Sequence, residues 1–191
     1  LDANLRDVLR VELKKLHSEL GATFVFVTHD QVEAMSMGDK IGVLNRGRLV
    51  QVGTPSEIYA KPLNTFVARS VGTPPMNLLD GVLKGNMAVL DAGKFSLPVA
   101  SPHGGEGNRI RFGIRPEDVV LDDSGPASAR VFDIENHGVI KILTLDINDT
   151  HLHATVSAQT QVHIDDTVKF NWRPEKVLCF DPSSGRNLGL G

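Results

Sequence analysis

Two stretches of this chain repeat one another 58 residues apart. Phe112-Gly113-Ile114-Arg115-Pro116-Glu117-Asp118-Val119 aligns with Phe170-Asn171-Trp172-Arg173-Pro174-Glu175-Lys176-Val177, matching at Phe, Arg, Pro, Glu and Val, with Asp123 and Asp181 also in step. An internal echo of this kind means that one supersecondary unit is built twice. Each copy reads as a strand, an Arg-Pro-Glu corner and a return strand. The two copies therefore close parts of one barrel, or stand as two barrels side by side. The corner reads as structural, with Pro fixing φ and the Arg and Glu pairing nearby.

Short strands surround the echo. They are predicted at 81–83, 87–90, 95–97, 109–112, 130–135, 139–147, 151–156, 167–171 and 177–180, with Gly, Asp and Pro between most of them. Many short strands and scarcely any helix mean a small barrel or sandwich. Trp172 stands in the second copy where Ile114 stands in the first, which assigns it to the core. Cys179, between Leu178 and Phe180, reads as a buried small hydrophobe. His151 and His153 leave the same face of one strand, and without a third ligand nearby they read as solvent-facing side chains, not a metal site.

The first third of the chain has another pattern. Leu5, Leu9, Leu13, Leu16 and Leu20 recur at helical spacing, and Gly21 closes that amphipathic helix. Thr23-Phe24-Val25-Phe26-Val27 follows, a β-branched and aromatic run without polar alternation, as expected of a strand buried on both faces of a parallel sheet. Helix then buried strand is an α/β signature. Asp30 is placed to cap a short helix with Glu33 three residues on. Residues 41–44 and 49–52 read as a hairpin through Asn45-Arg46-Gly47-Arg48, in which Gly47 supplies a positive φ. Helices follow from Thr54-Pro55 and over 64–71. Gly72-Thr73-Pro74-Pro75 breaks the pattern, dividing the chain into 1–72, a connector at 73–77 and a β part at 78–191.

Composition excludes several classes. The 191 residues are 41% hydrophobic and 23% charged, which is globular. A formal charge of −3 and 5% aromatic residues supply neither the basic groove nor the stacking platform of a nucleic-acid binder. The one cysteine cannot close an internal disulfide or make a Cys-based zinc site, in keeping with a reducing compartment. No apolar run reaches the length of a membrane span. Leu1 is not a methionine and a helical pattern starts almost at once, so the N-terminus reads as a cut within a larger protein.

Three blocks closely resemble the ATPase subunits of bacterial ABC importers. They are Leu1-Asp2-Ala3-Asn4-Leu5-Arg6, then Phe26-Val27-Thr28-His29-Asp30-Gln31-Val32-Glu33-Ala34-Met35, then Asp39-Lys40-Ile41-Gly42-Val43-Leu44-Asn45-Arg46-Gly47. Gln51-Val52-Gly53-Thr54-Pro55, Phe66-Val67-Ala68, Gly72-Thr73-Pro74-Pro75-Met76-Asn77 and Gly113-Ile114-Arg115-Pro116-Glu117 look like the sugar-importer branch, which includes maltose and glycerol-3-phosphate importers. The resemblance implies a C-terminal fragment: an α/β segment from the end of a P-loop nucleotide-binding domain, then an all-β, OB-like regulatory domain of the TOBE/MOP type with a duplicated β unit.

On that resemblance, His29 is the switch histidine of the H-loop, contacting nucleotide, and Asp2 is the D-loop aspartate that works across a dimer. A strand-end histidine suits the role, because it can donate to a γ-phosphate oxygen and help organise the attacking water. ATP and Mg²⁺ belong to the parent protein. Without a Gly-x-x-x-x-Gly-Lys-Ser/Thr loop this chain alone is expected to be inactive, to bind none of these and to hold no metal. Implied partners are a second copy, the membrane-spanning permease subunits and a regulatory protein or small ligand at the β domain, on the cytoplasmic face of the plasma membrane. The 23–27 strand edge is expected to drive self-association. The competing reading is a stand-alone OB-like sensor of oxyanions of the molybdate type.

Overall fold

The computed structural model describes residues 3–93 and 95–190. The chain divides into two compact units, Leu1–Ala60 and Lys61–Gly191.

The first unit opens with helix α1 (Ala3–Leu20). Gly21, at φ +59, ends it by donating its N–H to the His17 carbonyl at 3.0 Å. Helix α2 (Gln31–Met37) starts at Asp30, whose side chain accepts from the N–H groups of Val32 and Glu33. Strands β1 (Ile41–Asn45) and β2 (Arg48–Gly53) form the expected hairpin. Arg46 and Gly47 both take positive φ, 48° and 76°, as a tight primed turn requires. Helix α3 (Pro55–Ala60) begins with a reciprocal cap, in which Thr54 N–H donates to Glu57 Oε2 at 2.8 Å and Glu57 N–H to Thr54 Oγ1 at 3.3 Å.

One expectation fails here. Residues 23–27 form no strand, and Val25 and Val27 are 89% and 82% exposed. A β-branched run becomes a strand only when a neighbour supplies the other half of the hydrogen-bond ladder, and no described strand lies beside it. The parallel α/β sheet is therefore not formed among the described residues. The sheet in this unit is the β1–β2 hairpin alone.

The second unit is β-rich. After α4 (Thr65–Ser70) come β3 (Asn77–Lys84), β4 (Met87–Leu90), β5 (Ser96–Pro98), β6 (Arg109–Ile114), β7 (Val119–Leu121), β8 (Ala127–Asn136), β9 (Ile140–Ile147), β10 (Thr150–Ser157), β11 (Thr167–Trp172) and β12 (Leu178–Phe180). They make two five-stranded antiparallel sheets, ordered β10-β9-β8-β11-β7 and β12-β6-β3-β4-β5. Inward residues of both sheets share one core, with Phe112 and Phe170 fully buried. The sheets curl into a nearly closed, barrel-like body. Its seam is stitched by Asn77 at the start of β3: the side-chain carbonyl accepts from His153 N–H and the amide donates to His153 O, both at 2.8 Å. One side chain thus imitates a strand partner for β10, the edge of the other sheet.

The echo in the sequence is a duplication in space. Each copy runs strand, 3-10 turn, strand: β6, Pro116–Asp118 and β7 in the first, β11, Pro174–Lys176 and β12 in the second. The return strands are exchanged, because β12 pairs with β6 and β7 pairs with β11. Phe112 faces Cys179 and Phe170 faces Leu121, registers related by the same 58-residue shift. The two copies therefore close one body, not two. The aspartate that turns the chain after each return strand is Asp122 in the first copy and Asp181 in the second, so Asp123, the match by sequence, is one residue late.

Candidate functional site

His29 lies in the turn between the extended segment and α2. The turn is fixed on both sides of it. Thr28 Oγ1 donates to Glu33 Oε2 at 2.7 Å and accepts from Asp30 N–H at 2.9 Å, while Asp30 caps α2. Both carboxylates beside the imidazole are thereby occupied in holding the loop. His29 is exposed and makes no hydrogen bond among the described residues. It lies on a concavity of about 300 Å³ that Phe26, Thr28, Glu33 and Met37 also line. A neutral or protonated imidazole presented this way can give a hydrogen bond to an incoming anion without first breaking one. Asp2, the other candidate, lies outside the described residues.

In the β unit the residues singled out from the sequence serve the fold. Trp172 is buried and donates its indole N–H to the Pro98 carbonyl at 2.7 Å, as core placement requires. Cys179 is buried, and burial pushes its thiol up from the ordinary range. His151 and His153 do leave one face of β10. His151 lies against the Phe132 ring with centroids 4.9 Å apart, and Arg130 lies 5.8 Å from that ring's centre. Arg130 also pairs with Asp146 at 3.3 Å and Asp165 at 2.8 Å. His153 approaches Thr144 Oγ1 at 3.3 Å, and burial lowers its pKa. No group of three metal-ligating side chains occurs among the described residues.

The second Arg-Pro-Glu corner differs from the pairing read in the sequence. Arg173 Nη1 reaches Asp118 Oδ1 of the other copy at 3.0 Å instead of its own Glu175, and its N–H donates to Asp118 O at 2.9 Å. Burial holds the Asp118 carboxyl above its ordinary value, with the nearby Glu117 adding to this and Arg173 opposing it. Arg115, 4% exposed, donates from Nη1 to the backbone carbonyls of Ala68 and Val71. Sequence reasoning missed Asn77 and this use of Arg115. Only the quoted Met76-Asn77 and Ile114-Arg115 pairs pointed at them.

Comparison with known proteins matches this architecture. Residues 72–119 fit the family described as the MalK OB fold domain, and residues 112–180 fit the TOBE domain. The second match runs from Phe112 of the first copy to Phe180 at the end of β12. Over 190 residues the chain is 38% identical to the sn-glycerol-3-phosphate import ATP-binding protein UgpC of Ruegeria sp. (strain TM1040), covering 98% of this chain and 53% of that protein. It is 40% identical over 203 residues to the trehalose/maltose import ATP-binding protein MalK of Thermococcus litoralis, covering 98% and 54%. Its relatives are import ATP-binding proteins. The xylose/arabinose import ATP-binding protein XacK of Haloferax volcanii is a further one, 38% identical over 198 residues and covered to 51%. The chain spans about half the length of the curated relatives it matches.

A solved structure of the molybdate-binding protein ModG is also similar, at TM-score 0.47 and 17% identity, over 56% of this chain and 96% of that one. That likeness is too loose to carry the oxyanion-sensor reading.

Proposed function

We propose that this chain is the C-terminal part of the ATP-hydrolysing subunit of an ABC importer that takes up a sugar or a related small solute such as glycerol-3-phosphate. The observation that carries the reading is the match along 98% of the chain to proteins named for import and ATP binding. Residues 1–72 are the last stretch of the nucleotide-binding domain, 73–77 the connector and 78–191 the regulatory OB-like domain. The apolar 23–27 run supports the assignment, since its exposed side chains suit a strand whose ladder partners lie elsewhere in a larger sheet.

In this role His29 donates from its imidazole to a γ-phosphate oxygen and orients the attacking water, while Asp2 acts across the dimer. The fixed Thr28–Glu33 turn holds the ring ready. ATP with Mg²⁺ supplies the phosphoryl chemistry, and its phosphate cradle must come from residues this chain does not contain. Closure and opening of two such subunits drive the permease subunits docked on them, on the cytoplasmic face of the plasma membrane. A regulatory protein or small ligand acts at the β domain.

The test joins this chain to the missing half of a close relative. His29→Ala in the joined protein is expected to lower ATP turnover by about a hundredfold or more, with ATP affinity and Trp172 fluorescence preserved. Unimpaired turnover would reject the role of His29.

A further inference from the structure

Two short helices of the first unit begin on one pattern, a polar cap with a glutamate three residues on, and they use the glutamate differently. At α3 the box closes on itself. Thr54 N–H donates to Glu57 Oε2 at 2.8 Å, Thr54 Oγ1 donates to the same oxygen at 3.0 Å, and Glu57 N–H donates back to Thr54 Oγ1 at 3.3 Å. At α2 the N–H of the cap residue does not go to the glutamate. Asp30 N–H donates to Thr28 Oγ1 at 2.9 Å, and the Thr28 hydroxyl donates onward to Glu33 Oε2 at 2.7 Å. The Asp30 side chain still accepts from Val32 N–H at 2.8 Å and Glu33 N–H at 3.3 Å. Thr28 is a relay inserted between cap and glutamate, and the residue it straddles is His29.

The detour adds little to the helix. Asp30 caps α2 by itself, and a direct box would satisfy its N–H as well as the relay does. What the relay adds is a ring of bonds around one residue: the hydroxyl before His29 is fixed to the backbone after it, and both are tied to the first turn of α2. A hydroxyl has one proton to give, and here it goes to Glu33 while a lone pair takes Asp30 N–H. Without Glu33 that proton can turn elsewhere and the ring opens. Thr28 and Glu33 are half-buried and His29 is exposed, so the hold is on the backbone and the imidazole stays accessible. All three side chains line the same concavity.

The geometry points to Glu33 as a positioning residue for His29, acting through the Thr28 hydroxyl. This rests on the reading of His29 as the donor to the γ-phosphate. A group that must meet a phosphate oxygen loses rate steeply when displaced by about 1 Å, so a residue that fixes its backbone supports turnover without touching substrate. In this role Glu33 serves as an acceptor and takes no proton.

Two pairs of variants test it, in the intact chain and in the protein joined to the missing half of a relative. In the intact chain, Glu33→Ala and Thr28→Val are expected to lower the heteronuclear NOE of the His29 amide while the α2 amides hold, because the Asp30 cap remains. In the joined protein the same two are expected to lower kcat about tenfold to a hundredfold, with KM for ATP changed by no more than about twofold. Glu33→Gln and Thr28→Ser keep an acceptor and a hydroxyl, and are expected to recover most of that loss and to restore the His29 NOE. Equal losses in Glu33→Gln and Glu33→Ala would overturn the role, since Glu33 would then act by its charge or as a base. An unmoved His29 amide overturns it too. So does full turnover in Glu33→Ala and Thr28→Val beside an impaired His29→Ala, a result that leaves the reading of His29 standing. If His29→Ala itself keeps full turnover, that reading falls and the positioning role falls with it. Should Glu33→Ala fail to fold, Thr28→Val, close to threonine in shape, carries the test from the other end of the bond.

Discussion

The two units treat similar side chains in opposite ways. Phe24 and Phe26 in the first unit are 43% and 55% exposed, whereas Phe112 and Phe170 in the second are fully buried. Both pairs sit in β-prone, apolar runs. The difference is the presence of a second surface: β6 and β11 each have a hydrogen-bonded neighbour on both sides, and the 21–28 segment has none among the described residues. Apolar content becomes a core only where another layer closes over it.

The largest test of that comparison removes one ring from each unit. Phe170→Ala should cost about 3–5 kcal/mol in Trp172-monitored denaturation, the range for truncating a buried aromatic. Phe26→Ala should move the same transition by no more than ~0.5 kcal/mol. Equal losses at the two sites would erase the distinction drawn between the units.

Asn77→Ala comes next. It leaves the His153 N–H and carbonyl without their side-chain partner, at a cost of about 1–3 kcal/mol. It should also raise self-association in sedimentation, because the β10 edge is uncovered. Unchanged association would show that Asn77 does not guard that edge.

Two titrations sharpen the picture with smaller effects. The Asp181 carboxylate accepts from the N–H groups and hydroxyls of Ser183 and Ser184, which hold its pKa down to about 2 from an ordinary 3.8. Its contribution is therefore complete above about 4 and is lost as pH falls through about 2; Asp181→Asn should flatten this part of the acid limb. His153 is lowered from 6.5 by burial, so the folded state disfavours its protonation. Stability is retained above 6.5 and declines as pH falls through the lowered value. His153→Gln should remove that decline. Thermal melts at stepped pH read both. Least of all, Arg130→Ala should leave the melting midpoint unmoved, because its ion pairs with Asp146 and Asp165 are solvent-screened.

Local chemistry made much of this fold readable in advance. The Asp30 cap, the Arg46-Gly47 turn and the duplicated corner are each decided by a few adjacent residues, and each is found. The 23–27 strand was read from propensity, which does not contain the neighbour that a strand needs. The three-residue β7 was absent from the strands read singly, though the return strand implied by the echo falls there. The partners of Arg115 and Arg173 were unreadable for another reason. The carboxylate that Arg173 reaches is Asp118 of the other copy, a position that the repeat fills with Lys176 in its own. His29 was found by pattern, and the Thr28–Glu33 clasp beside it emerged only in three dimensions.

The traded return strands have a consequence for ancestry and for engineering. A solitary repeat would have an edge with no mate, except in another molecule of itself, so the simplest forebear of this body is a symmetric pair of short chains later joined end to end. Cutting the present chain between its copies should yield halves that find one another, and neither half should stand alone.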